Sequence, residues 1–368
     1  MSQPIRTAVL GYGFAGRIFH SPFIFAVPGL QLSAIVQRHG DNAAADYPKT
    51  RILRSVEEAF ADPAIDLIVV GTPNDSHFEL AKAALEAGKH VVIDKPFATT
   101  SVEARALITL AERQGKVLAP FHNRRFDGEF VTLRKLLAEG KLGRVTQVIS
   151  HYDRFRPVQR TGTWKEAGGA ANGLLFDLGP HLVDQALALC GAPQFITASV
   201  RTDRDVSSIE DAFDIVLEYA GKGGDASRGL RYECSSTMIG AEPAPRFRVH
   251  GTHGSFLKPT IDAQEAALLV GERPPQMGSA EEWKRDPEAS WGTLAIAPNP
   301  AEPTQIVRTK VQTELGDYRK FYASVRDAIL GVAPLAIPAE DAYRTIKLLE
   351  LALQSSEERR TLAVDLSA

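Results

Sequence analysis

The sequence predicts a doubly wound α/β domain with a parallel sheet, followed by an α+β domain with an open, mostly antiparallel sheet. Three observations carry this prediction. The first third alternates short, nearly all-apolar runs with helical patterns, as parallel strands covered on both faces require. A glycine turn at 11–16 follows the first apolar run at once. Beyond about residue 120 the helices give way to successive strand-like runs, which indicate a mostly antiparallel sheet. At roughly 100–200 residues per domain, a chain of 368 residues holds two.

In order, Thr7 to Leu10 is the first buried strand, and the glycine turn leads into a helical stretch through Ala26. Leu30 to Val36 is the second strand. Ser55 to Phe60 is a short helix, punctuated by Asp62-Pro63, and Ile65 to Val70 is a strand. Asp75 to Ala87 and Ser101 to Gln114 are helices closed by Gly88 and Gly115, since glycine accepts the left-handed conformation at a helix end. His90 to Ile93 and Val117 to Ala119 supply further strands. The first domain is therefore expected over 1–121 and the second over 122–368. In the second, Phe130 to Glu139 is a helix, Val145 to Phe155 a long strand, and 178–190 a helix. Strands are expected at Phe195–Val200, Ala212–Tyr219, Gly229–Ser236, Arg246–His250 and Ser255–Leu257. Gly271 to Pro303, rich in proline and glycine, reads as a long surface loop. Tyr318 to Ile329 and Ala339 to Glu357 are amphipathic helices.

Composition narrows the classes of function. The chain is 44% hydrophobic and 24% charged, with a formal net charge of −3. It offers no basic field for nucleic acid or an anionic membrane surface. Cys190 and Cys234 have no metal-ligand spacing and do not make a disulfide framework. No apolar run approaches the ~20 residues of a membrane span, and the N-terminus enters a strand without a secretory pattern. The expectation is a cytoplasmic protein with no nucleic-acid or membrane partner.

Gly11-Tyr12-Gly13-Phe14-Ala15-Gly16 fits G-x-G-x-x-G between a strand and a helix. Gly11 permits the tight turn, Gly13 lets backbone approach a pyrophosphate, and Gly16 lets helix and strand pack closely. The helix N-terminus adds free N–H donors. A bare glycine turn without a ligand is the alternative. The second strand ends at Val36-Gln37-Arg38-His39, where an NAD site usually carries an acid for the ribose 2′-hydroxyl. Arg38 suits a 2′-phosphate, so NADP is expected, with NAD as the alternative.

The strand at 90–93 runs into Asp94-Lys95-Pro96, at a strand end that faces the ligand crevice in such sheets. A lysine there can donate to a substrate hydroxyl; a surface lysine at a turn is the plain alternative. Asp177 and His181 lie four apart within Gly168–Asp184, so a helix places them on one face. Histidine takes protons near neutral pH, and a nearby carboxylate supports it. Pro180 is tolerable in a first turn, which places Asp177 near the helix start. No metal is expected, because no third ligand has convincing spacing. Arg154 and Arg156 share a strand face with Tyr152, opposite Asp153; they suit a polyol or a solvated edge.

Taken together, the Gly11–Gly16 turn, Asp94-Lys95-Pro96, Asn123-Arg124-Arg125 and Gly173-x-x-x-Asp177-x-Gly179-x-His181 resemble the glucose–fructose oxidoreductase / inositol dehydrogenase / rhizopine-catabolism (Gfo/Idh/MocA) family over essentially the whole chain. His122 to Phe126, Tyr152 to Pro157 and Asp177 to His181 resemble its NADP-dependent scyllo-inositol dehydrogenase-like group. The resemblance implies a Rossmann domain, a second domain for substrate and oligomerisation, and an active site between them. It implies that Lys95, Asp177 and His181 form the catalytic group. It places Thr72, Pro73, Asn74 and His77 near the cofactor, alongside Gly11 to Gly16, Gln37, Arg38, Asp94, Lys95, Pro96 and Asn123, and Trp164 close to nicotinamide or substrate. A homodimer or homotetramer is implied. The family commonly has Glu where this chain has Asp94.

The implied activity is hydride transfer between nicotinamide and a secondary alcohol or ketone of a sugar or cyclic polyol. Competing expectations are an aldose, sugar-acid or keto-sugar substrate, a dinucleotide-binding sensor without turnover, and a redox-assisted glycosidase. Retention of Lys95, Asp177 and His181 together disfavours the sensor.

Overall fold

The computed structural model describes residues 3–160, 162, 166, 168–169, 171–221, 228–299, 301–302 and 304–367. By their contacts they form two units. The first comprises Met1–Phe126, Gln264–Lys284 and Asp317–Ile346, and the second Asp127–Ala263, Arg285–Gly316 and Lys347–Ala368. Two stretches from the C-terminal third thus return to the first unit, which a single boundary after residue 121 does not provide for.

In the first unit, β1 (Ile5–Leu10), β2 (Leu30–Val36), β3 (Arg51–Leu53), β4 (Leu67–Val70), β5 (His90–Ile93) and β6 (Leu118–Pro120) make a parallel sheet of order β3-β2-β1-β4-β5-β6. Its helices include α1 (Ser21–Ala26), α2 (Asn42–Asp46), α3 (Val56–Ala61), α4 (His77–Glu86) and α5 (Ser101–Gln114). Alternate strand residues feed two cores, so both faces are apolar. Val9, Val69 and Val92 pack with Phe23 and Ile24 of α1 and with Phe321 and Tyr322. Ala8, Val70 and Ile93 pack with Leu85 of α4 and Leu107 of α5. Ser55 caps α3 in a reciprocal capping box with Glu58.

The second unit begins with α6 (Gly128–Ala138), β7 (Val145–His151) and α7 (Leu174–Cys190). It continues with β8 (Phe195–Arg201), β9 (Ala212–Tyr219), β10 (Leu230–Thr237), β11 (Phe247–Gly251) and β12 (Gly254–Lys258). Its further strands are β13 (Gly292–Ile296), β14 (Val307–Val311) and β15 (Leu362–Ala363), while α8 (Ala263–Leu269), beyond its first residue, and α9 (Arg319–Ile329) belong to the first unit, and α10 (Ala339–Glu358) to the first unit as far as Ile346 and to the second from Lys347. Among the described residues the sheet has order β14-β13-β12-β11-β7-β10-β9-β8-β15, and only β7 and β10 pair in parallel. Helix α7 packs on β9 and β10.

Three expectations need correction. The expected loop at 271–303 contains Trp283, which is buried in the first unit's core, and strand β13. Prolines on either side hid a short segment that long-range pairing with β12 holds as a strand. Strand β14 was missed because its side chains are largely exposed, so no alternation marks it. Helix α7 begins at Leu174, which puts Pro180 in its second turn rather than its first. The missing Pro180 N–H withholds one i→i−4 bond from the Phe176 carbonyl, a cost borne by a helix whose surface is mostly buried.

Candidate functional site

The glycine turn of the first unit has the geometry its sequence requires. Gly11 sits at φ +90°, where a side chain is strained. Gly16 lies so close to the Gly11 carbonyl that a Cβ would overlap it, whereas a Cβ on Gly13 would meet nothing within 4 Å. Gly13 therefore presents open backbone, which fits the close approach of a pyrophosphate. Phe14 is exposed beside it, and Tyr12 donates to Asp46 Oδ2 at 2.7 Å, fixing the turn against α2. Ala15 precedes a π-helical turn over Gly16–His20 that leads into α1.

At the end of β2, Gln37 is turned inward and its Oε1 accepts from the Ala43 N–H at 2.9 Å. Arg38 is exposed, and no ion pair joins it to a carboxylate among the described residues. Arg54, unmarked by any motif, shapes this loop. It donates to the carbonyls of Gln37 (3.0 Å) and Gly40 (2.7 Å) and pairs with Asp41 at 2.6 Å. Asp41 is thereby occupied, and Arg38 is left as the open charge at the strand end.

After β4, the Thr72 and Ser76 hydroxyls lie 2.7 Å apart, and Pro73 leads into a short 3-10 turn containing Asn74. His77, expected among the cofactor contacts, packs inside the fold. It is fully buried, with Nε2 2.9 Å from the Thr72 carbonyl and Nδ1 2.7 Å from the Pro96 carbonyl. Both ring nitrogens are occupied by backbone, so His77 ties the loop after β4 to the loop after β5. That second loop carries Asp94, the half-buried Lys95 and Pro96, with a cis Lys95-Pro96 bond. Asp94 Oδ1 accepts the Lys95 N–H at 2.8 Å, and Oδ2 lies 3.9 Å from His20 Nε2. Burial pushes the Asp94 carboxyl up, but the opposing effects of His20, Lys95 and His77 hold it below the usual range. Asn123 is buried in the same unit. Its neighbours hold the fold together: Arg124 pairs with Glu265 and donates to Tyr318, and Arg125 pairs with Asp341 at 2.9 Å.

In the second unit, Asp177 and His181 stand one turn apart on α7, as their spacing implied; His181 is buried and Asp177 half-buried. Beyond β7 the chain stays extended. The N–H groups of Tyr152, Arg154 and Arg156 donate to the carbonyls of Ser235, Thr237 and Met238. This ribbon puts Arg154 beside α7, where Nη1 meets Asp177 Oδ2 at 3.0 Å. Asp153 turns the other way, accepting from the Ala244 N–H at 3.0 Å. Trp164 lies outside the described residues.

Two further groups shape this region without a sequence signal. Arg204 is buried between Asp211 (2.7 Å) and Glu166 (3.0 Å), tying together segments distant in sequence. The Glu210 backbone carbonyl accepts the Leu174 N–H at 3.1 Å at the start of α7, and burial pushes the Glu210 carboxyl up to about 7. Gly173, at φ +93°, leaves room for that carboxylate, since a Cβ there would collide with it. Among the described residues no group of three His, Cys, Asp or Glu is placed to hold a metal, and no helix is long and apolar enough to cross a membrane.

Two family models match, one described as "Oxidoreductase family, NAD-binding Rossmann fold" over residues 5–122 and one as "Oxidoreductase family, C-terminal alpha/beta domain" over residues 134–365. The chain is 42% identical to an uncharacterized Escherichia coli oxidoreductase, YdgJ, over 99% of this chain and 100% of that one. It is 34% identical to the scyllo-inositol 2-dehydrogenase (NADP(+)) IolW of Bacillus subtilis, over 98% of this chain and 96% of that one. Among solved structures, the Bacillus subtilis protein yvaA superposes with a TM-score of 0.90 at 33% identity, covering 99% of both chains. The Yersinia pestis protein YPO2259 gives 0.89 at 38% identity, covering 100% of this chain and 99% of that one.

Proposed function

Since the chain belongs to the Gfo/Idh/MocA oxidoreductase family, we propose that it is an NADP-dependent dehydrogenase or reductase acting on a secondary alcohol or ketone of a sugar or cyclic polyol of the scyllo-inositol type. The observation that carries this reading is Asp177 paired with Arg154, one helical turn before the buried His181. A protein that only senses a dinucleotide has no need of a carboxylate paired with an arginine one helical turn from a histidine. The name of the 34% identical relative supports the substrate class. The exposed Arg38 at the end of β2, with no acid in the usual ribose position, supports NADP over NAD.

The cofactor fits the open backbone at Gly13 and the helix start behind it. When bound, nicotinamide supplies the hydride chemistry, which no side chain here can. The protein's part is proton transfer and polarisation. In the oxidative direction His181 takes the hydroxyl proton, Asp177 supports the imidazolium that forms, and Lys95 donates to the same oxygen as it gains charge. In reverse, His181 returns the proton. We place the enzyme in the cytoplasm as a homo-oligomer; its two unpaired cysteines, Cys190 and Cys234, suit a reducing compartment.

The test is purified protein with NADP⁺ or NAD⁺ and a panel of inositols and aldoses, following reduced nicotinamide by absorbance, then NADPH with keto-sugars. Turnover with a cyclic polyol, faster with NADP⁺, is expected. Tight NADPH binding without turnover of any alcohol or ketone overturns the reading.

A further inference from the structure

The π-helical turn over Gly16–His20 closes with the Ser21 N–H donating to the Gly16 carbonyl, five residues back. Pro22 follows and has no N–H, so the regular ladder is interrupted at this point. Such π-helical turns recur at functional sites, and this one carries His20. It is fully buried, its ring centroid 4.5 Å from that of Phe121, and it occupies space open because residue 71 is glycine. A phenylalanine would serve packing alone. Yet His20 is polar at both ends. Nδ1 lies 2.7 Å from the Tyr322 hydroxyl on α9, and Nε2, which has no hydrogen-bond partner among the described residues, faces Asp94 Oδ2 at 3.9 Å.

The chemistry orients this chain. A carboxylate opposite Nε2 favours the tautomer that carries its proton there. Nδ1 is then the acceptor and the Tyr322 hydroxyl the donor. Tyr322 is suited to that part, because burial, with the charge of Asp94, pushes its phenol well above the ordinary range and keeps it protonated. Asp94 in turn accepts the Lys95 N–H. The groups facing Asp94 are His20 from the π-helical turn, His77 from α4 and Lys95 from its own loop. His77 already has both nitrogens on backbone carbonyls. His20 is therefore the neighbour whose Nε2 faces the carboxylate with no backbone partner of its own.

We propose that His20, held by Tyr322, is a positioning residue that keeps Asp94 ionised and oriented and through it sets the placement of Lys95. The catalytic consequence rests on the reading of Lys95 given above, whereas the effect on Asp94 does not. His20 touches neither substrate nor the reacting oxygen in this account.

The test has two arms. The first needs no substrate: carboxyl carbon-13 NMR titration of Asp94 in the wild type, His20→Phe and Tyr322→Phe proteins. We expect the Asp94 midpoint to rise by about one pH unit or more in His20→Phe and by a smaller step in Tyr322→Phe. A midpoint unchanged in both overturns the proposal, and if His20→Phe does not fold, Tyr322→Phe decides alone. The second arm uses an alcohol turned over by the wild type. Both variants should lower kcat, with NADPH affinity by fluorescence titration within about twofold, and move the acid limb of the kcat profile upward. Equal losses of kcat and NADPH affinity, with the limb unmoved, indicate a packing role and overturn it. If no alcohol is turned over while the NMR midpoint still shifts, the polyol reading fails and the role of His20 toward Asp94 stands.

Discussion

Arg154 Nη1 lies 3.0 Å from Asp177 Oδ2, with both side chains less than a quarter exposed. A pair so placed is screened less than a surface pair, and removing one partner takes away the attraction it supplied to the other. Arg154→Gln should lower kcat/KM by about 10-fold to 100-fold, corresponding to roughly 1.4–2.8 kcal/mol. NADPH affinity by fluorescence titration should be unchanged. An equal loss of nucleotide affinity would count against a role confined to Asp177.

His181→Ala and Lys95→Ala should each reduce kcat by about 10²-fold to 10⁴-fold, the range of a lost acid–base group. Binding of NADPH should survive in both. Steady-state kinetics beside a binding titration separates the two effects. Undiminished turnover removes that residue from the mechanism.

Arg38 stands exposed at the end of β2, while Arg54 is consumed by Asp41 and two carbonyls. Arg38→Ala should weaken NADPH by about 10-fold or more, in keeping with loss of a charge-assisted hydrogen bond of roughly 1.5–3 kcal/mol. NADH should be nearly unaffected. Parallel titrations with the two nucleotides give the ratio directly.

Burial opposes the charge of Glu210 and pushes its carboxyl up from the ordinary 4.5 to about 7. Its folded value lies above its unfolded one, so the native chain binds the extra proton between these values. Stability therefore falls as pH rises through this window and stays at the reduced level above it. Glu210→Gln should gain stability relative to wild type as pH rises from 5 to 8, by roughly 1–3 kcal/mol, after allowing for partial exposure. Denaturant titrations at pH 5 and pH 8 measure this, and a difference that does not grow with pH refutes it.

Gly16→Ala places a methyl group against the Gly11 carbonyl, a backbone atom that cannot rotate away. We expect a loss of about 1–3 kcal/mol from this overpacking, read as a fall in Tm, together with weakened NADPH binding. Gly13→Ala, with nothing within 4 Å of the new carbon, should leave Tm near wild type and weaken the nucleotide alone.

The parallel sheet was legible because β1, β4 and β5 are nearly all apolar, whereas the edge strand β3, which opens on the exposed Arg51, gave no such pattern; Gly11, Gly13 and Gly16 have distinct steric reasons to be glycine. The turn spacing of Asp177 and His181 was legible for the same kind of reason, since four residues on a helix is a local relation. Harder to see were features whose meaning depends on partners far away in sequence. His20 became notable only with Tyr322 and Asp94 around it, 302 and 74 residues on. The two carbonyls that His77 meets, on Thr72 and Pro96, were likewise invisible in the sequence. Strand β14, exposed along its length, exists through its ladder with β13 rather than through a pattern of its own.

The sequence by itself thus determined the class of fold, the nucleotide turn and the residue types available for proton transfer, because periodicity, glycine sterics and helical spacing are local. Only the tertiary structure decided which charges are neutralised and which stay open: Asp41 by Arg54, Asp177 by Arg154, Asp211 and Glu166 by Arg204. It also decided how burial moves the protons of Asp94 and Glu210. The physical reason is that desolvation and ion pairing depend on what surrounds a group in space, and spatial neighbours are set by packing.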